Sequence, residues 1–403
     1  MIHSFTCKNF YSFAGENTVN FQVNQKAPKN DGYFVTPSKT RLSKVETIIG
    51  PNASGKTNLL KILPLFKWLV INSFNANPDK PLPVKTFILA ELKNEPIELS
   101  VNFEIETNIY TYNFKLSEEK ILEETLFITN KTKEKVTTKK LFSREWNKKN
   151  NSYTFNGKNF ELPKNFENLL RKNASIISTA MRLNHKTSQI IGNYWGKVET
   201  NVIEAGWIGD SLLPNAKRNL VEALFFYSEN EKLKKEAEKL LSRFDLGLES
   251  FCITKEKNEN GVTINVKATH FFEDKKLELP FQYESAGTKQ LFIILKTILQ
   301  VLATGGIAVL DEFDVNLHPE MIMELHKLFI SPETNTKQAQ MIFSSHSHQI
   351  LGELDKYQII LTEKNKKGSS ETWRLDEMTG VRADDNYYTK YIAGAYGAIP
   401  NIN

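Results

Sequence analysis

One octapeptide, Gly50-Pro-Asn-Ala-Ser-Gly-Lys-Thr57, restricts the folds open to this chain more than any other feature. It follows an apolar run, Val45 to Ile49, that reads as a β-strand, and it precedes a helical pattern running from Asn58 to about Ser73. Strand, glycine-rich turn and helix in that order are the context in which G-x-x-x-x-G-K-T holds phosphate. Gly50 and Gly55 let the chain curl so that successive N–H groups face one concavity, and the helix adds its positive N-terminal end. Pro51, Asn52, Ala53, Ser54 and Asn58 complete the wall. Lys56 is predicted to reach the outer phosphates, and the Thr57 hydroxyl to sit on Mg²⁺. The chain is predicted to bind a nucleoside triphosphate.

Its 403 residues suffice for a large core, with two domains or one domain carrying insertions. A net charge of +5 permits contact with nucleic acid without arguing for it. Cys7 and Cys252 are the only cysteines, which argues against a disulfide framework and fits a reducing cytoplasm. The first residues lack a charged start and apolar signal core, and the apolar run Leu291 to Ala303 is too short to span a bilayer. No membrane association is expected.

Strands are predicted at Ile2–Thr6, Thr18–Phe21 and Val45–Ile49, with a polar loop over 26–44. The aromatic stretch Lys8 to Phe13 fits either a wall beside a nucleotide base or ordinary core. From Thr86 to Tyr153 the pattern alternates, predicting half-buried antiparallel strands; Lys131 to Lys140 reads as a solvated hairpin end or a nucleic-acid contact. From Phe166 to Arg243 the chain reads mainly as helix, stopped by Leu246-Gly247-Leu248, with two strands after it near Phe251–Lys255 and Val262–His270. The expected divisions are an N-terminal ATPase lobe (1–85), an antiparallel β insertion (86–160), a helical insertion (161–250) and a C-terminal ATPase lobe (251–403).

Four further motifs follow. Glu284-Ser285-Ala286-Gly287-Thr288 opens an apolar helix, offering a hydroxyl and bare N–H groups to an anion. The strand Ile307 to Leu310 ends in Asp311-Glu312, where ligands of parallel sheets collect. Asp311 is expected to hold Mg²⁺ through water and Glu312 to orient and polarise the attacking water. Phe313-Asp314-Val-Asn316-Leu317-His318-Pro319 leads into a helix, and the strand Gln340 to Ser344 ends near His346, a candidate γ-phosphate sensor.

In this order the motifs resemble the ABC-type P-loop ATPase heads of the SMC, RecF and OLD-nuclease group. The tail Arg382 to Pro400 is similar to that of compact bacterial ATPases of phage-defence and toxin–antitoxin operons, the AriA subunits of PARIS systems among them. The resemblance implies an α/β head with a mixed sheet, an antiparallel β lobe and a helical insertion. It also implies ATP and Mg²⁺ as cofactors and a head-to-tail homodimer, or larger homo-oligomer, sandwiching ATP. Ser285 and Gly287 of one subunit then cover the nucleotide of the other. The group's Mg²⁺-sensing glutamine has no counterpart, since no Gln occurs from Lys26 to Ser188.

Residues 58–283 lack sustained heptads, which excludes a long-armed SMC protein. Residues 349–403 are too few for a Toprim-type nuclease domain, which needs on the order of 100 residues. The expectation is a sensor ATPase controlling a separate nuclease or toxin encoded nearby, with DNA or a phage protein as trigger. A RecF-like repair or chromosome-handling ATPase is the alternative. A switch GTPase lacks its Asn-Lys-x-Asp element here, and a non-hydrolysing scaffold stays open.

Overall fold

The computed structural model describes residues 1–89, 92, 94–131, 135–202, 215–244, 248–258, 261–273 and 275–400. Its centre is a six-stranded mixed sheet of β5 (Val45–Ile49), β11 (Val198–Thr200), β15 (Ile307–Leu310), β16 (Gln340–Ser344), β17 (Ile359–Lys364) and β18 (Ser370–Arg374). The order is β11-β15-β16-β5-β17-β18, parallel except for β18. Side chains of β15 alternate between two cores: Ile307 and Val309 join one cluster, Ala308 and Leu310 the other. Burial on both faces explains why this strand is uniformly apolar in sequence.

The first core lies beneath a seven-stranded antiparallel sheet, ordered β10-β9-β8-β7-β6-β1-β2. Its strands are β1 (Ile2–Lys8), β2 (Asn17–Asn20), β6 (Ile97–Ile105), β7 (Asn108–Leu116), β8 (Ile121–Lys131), β9 (Val136–Asn147) and β10 (Ser152–Asn156). The strands of 86–160 thus continue the sheet that the N-terminus begins, through β1 paired with β6. Residues 132–134 of the lysine-rich hairpin end lie outside the described residues, but the flanking strands pair as far as Lys131 and Val136.

Beneath this sheet lie α1 (Lys56–Leu60), α2 (Ile62–Ile71), α3 (Ile176–Met181) and α4 (Lys186–Trp195). The helix expected from Asn58 to Ser73 is interrupted at Lys61. Pro64 has no N–H to give the Leu60 carbonyl, so the ladder breaks there and resumes with Leu65 bonding back to Lys61. An ion pair, Arg144 to Glu124 at 2.7 Å, is buried between sheet and helices. Glu124 also accepts from the Tyr112 hydroxyl (2.5 Å) and the Ile176 N–H (2.8 Å). Arg144 donates to the carbonyls of Arg171 and Ala174. Removing one member of such a pair costs about 3–5 kcal/mol, because the other charge stays buried.

The second core is closed by α5 (Asn215–Glu229), α6 (Glu231–Phe244), α7 (Ala286–Thr304), α8 (Pro319–Ile330) and α9 (Tyr387–Ile392). Leu246 and Gly247, expected to stop α6, lie outside the described residues. A three-stranded sheet follows: β12 (Leu248–Asn258), β13 (Gly261–Phe272) and β14 (Lys275–Pro280). The segment 26–44 is not wholly loop. It contains the short ladder β3 (Tyr33–Val35) with β4 (Arg41–Ser43). Among the described residues, α7 alone is long and apolar enough to cross a membrane, and it is a core helix: Phe292, Leu295, Ile298 and Val301 are fully buried.

Candidate functional site

The phosphate-loop residues form a cradle whose shape depends on missing side chains. A Cβ on Gly50 would sit 2.1 Å from the Thr362 carbonyl oxygen. At Gly55 it would meet Ser370 Oγ at 2.5 Å, on a backbone with φ of 114°. Ala53 is also left-handed, with φ of 61°, so the loop turns its N–H groups inward. Lys56 is buried and folds over the loop, its ammonium donating to the carbonyls of Gly50 (2.8 Å) and Pro51 (3.1 Å). Burial lowers its pKa, opposed by Asp311, Glu312 and Asp314 in turn. Thr57 follows half-buried at the start of α1, while Asn52 and Ala53 are exposed at the rim. The buried Ser54 hydroxyl has no hydrogen-bond partner among the described residues. A polar concavity with an orphaned hydroxyl, a helix start and an ammonium suits a polyphosphate, so these residues fit ATP.

Asn58 and the loop after β1 close one side. Asn58 Nδ2 donates to Ser12 Oγ at 3.0 Å, and Ser370 Oγ donates to the same oxygen at 2.9 Å. The aromatic stretch divides between core and surface. Phe10 and Phe13 are fully buried, whereas Tyr11 borders a depression of about 520 Å³ shared with Ser12, Asn58 and Thr86.

The acids arrive from β15, one strand removed from β5 in the parallel sheet. Ser344, at the end of the intervening β16, organises both. Its hydroxyl donates to Asp311 Oδ1 at 2.6 Å and accepts from the Glu312 N–H at 2.8 Å. Glu312 adopts a left-handed backbone, φ of 46°, an uncommon state for a residue with a Cβ, and its side chain is exposed. With Thr57 and Asp311 near the same sheet end, oxygen ligands suited to Mg²⁺ are available.

His346 is exposed on a loop pinned by Asp314. Asp314 Oδ2 accepts from the N–H groups of Ser347 (2.6 Å) and His346 (2.8 Å) and from Ser345 Oγ (3.0 Å). The sequence shows Asp314 within its motif but not its role, because these bonds link residues about thirty apart. Asn201 was missed altogether. Its carboxamide brackets Asp311, donating to the Asp311 carbonyl (2.9 Å) and accepting from the Asp311 N–H (2.7 Å). That extends edge strand β11 by one side chain.

Ser285 caps α7, its hydroxyl accepting from the Thr288 N–H at 3.0 Å. Gly287 lies against the loop after β15: a Cβ there would be 2.8 Å from the Asn316 carbonyl oxygen. The cavity of about 270 Å³ beside Ser285 and Gly287 is lined by Leu241, Asn316 and His318, among others, and by none of residues 50–58. The structure therefore gathers residues 50–58, Asp311, Glu312 and His346 around one end of the sheet and leaves Ser285 and Gly287 apart. The stretch from Asp311 to His318 joins the two.

The family model for an AAA domain, described with AbiEii toxin and type IV TA system, matches residues 47–352. The chain belongs to this AAA-domain family. The match begins within β5 and runs beyond His346, and it takes in residues 50–58, Asn201, Ser285, Gly287, Asp311, Glu312, Asp314, Ser344 and His346. It identifies an ATPase domain of the kind linked to type IV toxin–antitoxin systems, and ATP binding comes with it. No protein of curated description is significantly similar. Among solved structures, this AAA-domain chain is similar to the SMC head domain from Thermotoga maritima. Identity is 14%, covering 93% of this chain and 98% of that one, with a TM-score of 0.42. It is also similar to the Smc head domain with an extended coiled coil bound to the C-terminal domain of ScpA, derived from Pyrococcus furiosus. There, identity is 13%, coverage 93% and 97%, and the TM-score 0.46.

Proposed function

We propose that this AAA-domain protein is a Mg²⁺-dependent ATPase whose heads pair head to tail around ATP, and that it regulates a separate effector in anti-phage defence. The supporting observation is the convergence of Lys56, Asp311, Glu312 and the Asp314-pinned His346 at one sheet end, with Ser285 and Gly287 outside it. Bound ATP with Mg²⁺ would supply a terminal phosphoryl group for transfer to water. Lys56 would swing from the Gly50 and Pro51 carbonyls to the outer phosphates, where a charge-assisted bond is stronger. Thr57 and Asp311 would hold the metal, and Ser344 keeps the Asp311 carboxylate aimed. Glu312 would orient the attacking water and take its proton, its exposure leaving it free to do so. His346 would hydrogen-bond the terminal phosphate, and Tyr11 would flank the base. Ser285 and Gly287 would complete a partner subunit's site through the α7 N-terminus.

Glu312→Gln tests the chemistry. It should bind ATP, lose turnover and accumulate as dimer or larger assembly on sizing with ATP; turnover at the wild-type rate would place the base elsewhere. Mixed Lys56→Ala and Ser285→Arg subunits should regain partial activity through one intact composite site. No recovery despite demonstrated mixing would mean a site built within one chain. In cells, the chain with its adjacent reading frame should protect against phage only when both are present and Lys56 is intact. Loss of the chain that sensitises cells to DNA damage, with phage growth unaffected, would install the RecF-like repair role instead.

A further inference from the structure

We infer that the groove between α6, α7 and the turn after α8 docks an acidic amphipathic helix from a partner protein. Docking itself does not depend on the ATPase reading, but the occupant's role as effector rests on it.

The groove encloses about 490 Å³, within the range of sites that take defined ligands. Its floor is aliphatic: Leu233 and Leu240 from α6, Leu299 and Leu302 from α7, and Leu328 from α8. Leu233 and Leu240 are seven residues apart on one helix face, so the floor runs about 10 Å along α6. That length suits a helix presenting apolar anchors at i and i+7. The rim carries Lys232, Lys239, Arg243 and Lys337 against Glu236 and Glu333. Arg243 is shared with Glu324 at 3.2 Å, and Lys337 is bonded to the Ala303 carbonyl. Lys232 and Lys239 have no carboxylate partner among the described residues and repeat the seven-residue spacing of the leucines. A helix with apolar anchors and acidic flanks meets both features. A nucleic-acid backbone would meet only the lysines and offers no apolar anchor to the aliphatic floor.

The location also favours a regulatory partner. Leu299 lies fourteen residues along α7 from Ser285, about 20 Å away. A docked helix therefore touches the helix that carries Ser285 at its start without covering that start.

The test selects displayed helical peptides of about 18 residues, randomised on all faces, for binding to the full-length protein. Selected peptides should be acidic, with aliphatic anchors seven apart. They should bind the Lys232→Glu/Lys239→Glu double variant at least about tenfold more weakly than wild type. Leu233 is half-exposed, so Leu233→Ser should fold normally, checked by its melting temperature, and also weaken binding. Basic or neutral winners, equal affinity for the charge-reversed protein, no enrichment at all, or displacement by duplex DNA or by a second copy of the chain would each overturn the inference. The product of the adjacent reading frame is titrated in parallel. Its loss of binding to the double variant makes it the occupant. Unchanged binding counts against the effector as occupant and leaves the peptide selection to decide the groove.

Discussion

Asp314 gives the sharpest way to separate catalysis from binding in this site. Its carboxylate holds two main-chain N–H groups, at 2.6 and 2.8 Å, in the loop that carries His346. Hydrogen bonds to a charged acceptor contribute about 1.5–3 kcal/mol each, and water recovers part of that at an exposed loop. Asp314→Ala should therefore lower the population with His346 in place by about 3 kcal/mol, roughly a hundredfold. Steady-state ATP turnover should fall by that order. ATP affinity should fall less than turnover, because Lys56 and the cradle make no bond to Asp314 and the loss is confined to the single His346 contact. Asp314→Asn keeps one acceptor and should fall between. The melting temperature should shift by only a few degrees, since Asp314 Oδ1 is buried with no partner among the described residues and its removal relieves that burial. Wild-type turnover in Asp314→Ala, or equal loss of affinity and turnover, would refute the reasoning.

Asn201→Ala removes both bonds to the Asp311 main chain; it should raise the Mg²⁺ concentration for half-maximal turnover several-fold, while ATP affinity measured without metal stays put. A matching loss of metal-free ATP affinity would mean that Asn201 supports the whole cradle. His326 is buried, its Nε2 has no partner among the described residues, and burial lowers its pKa from 6.5 to about 4. The folded protein keeps it neutral where the unfolded chain takes a proton, so its contribution is complete above about pH 6.5 and is lost as pH falls toward 4. The loss should reach about 3 kcal/mol. Urea unfolding at pH 7 and pH 4 should show His326→Leu with a flatter pH dependence by that amount, and equal slopes would remove the assignment.

Much of the site was legible because its residues fall next to strong local patterns. The apolar β5 and β15 end in Gly50 and in Asp311-Glu312, and the alternation of 97–116 predicts the hairpin that forms. Elements without such patterns were not legible. β14, Lys275–Pro280, is exposed throughout, and its two alternating leucines, Leu277 and Leu279, make too short a pattern to predict a strand. The three-residue strands β3 and β4 sit among Pro, Gly and Asn and are too short to show a period. Lys61 breaks the first helix because of Pro64, a signal present in the sequence that the apolar periodicity outweighed. The roles of Ser344, Asp314 and Asn201 depend on contacts between strands far apart in the chain, and no local spacing encodes them.

The central claim is that this cradle binds ATP through Lys56. Calorimetric titration of Mg·ATP into wild type and Lys56→Ala measures it most directly. Deleting an ammonium that makes charge-assisted bonds to phosphate should weaken binding by at least about thirtyfold, with the fold intact by circular dichroism. Equal affinity in the two proteins would contradict the account.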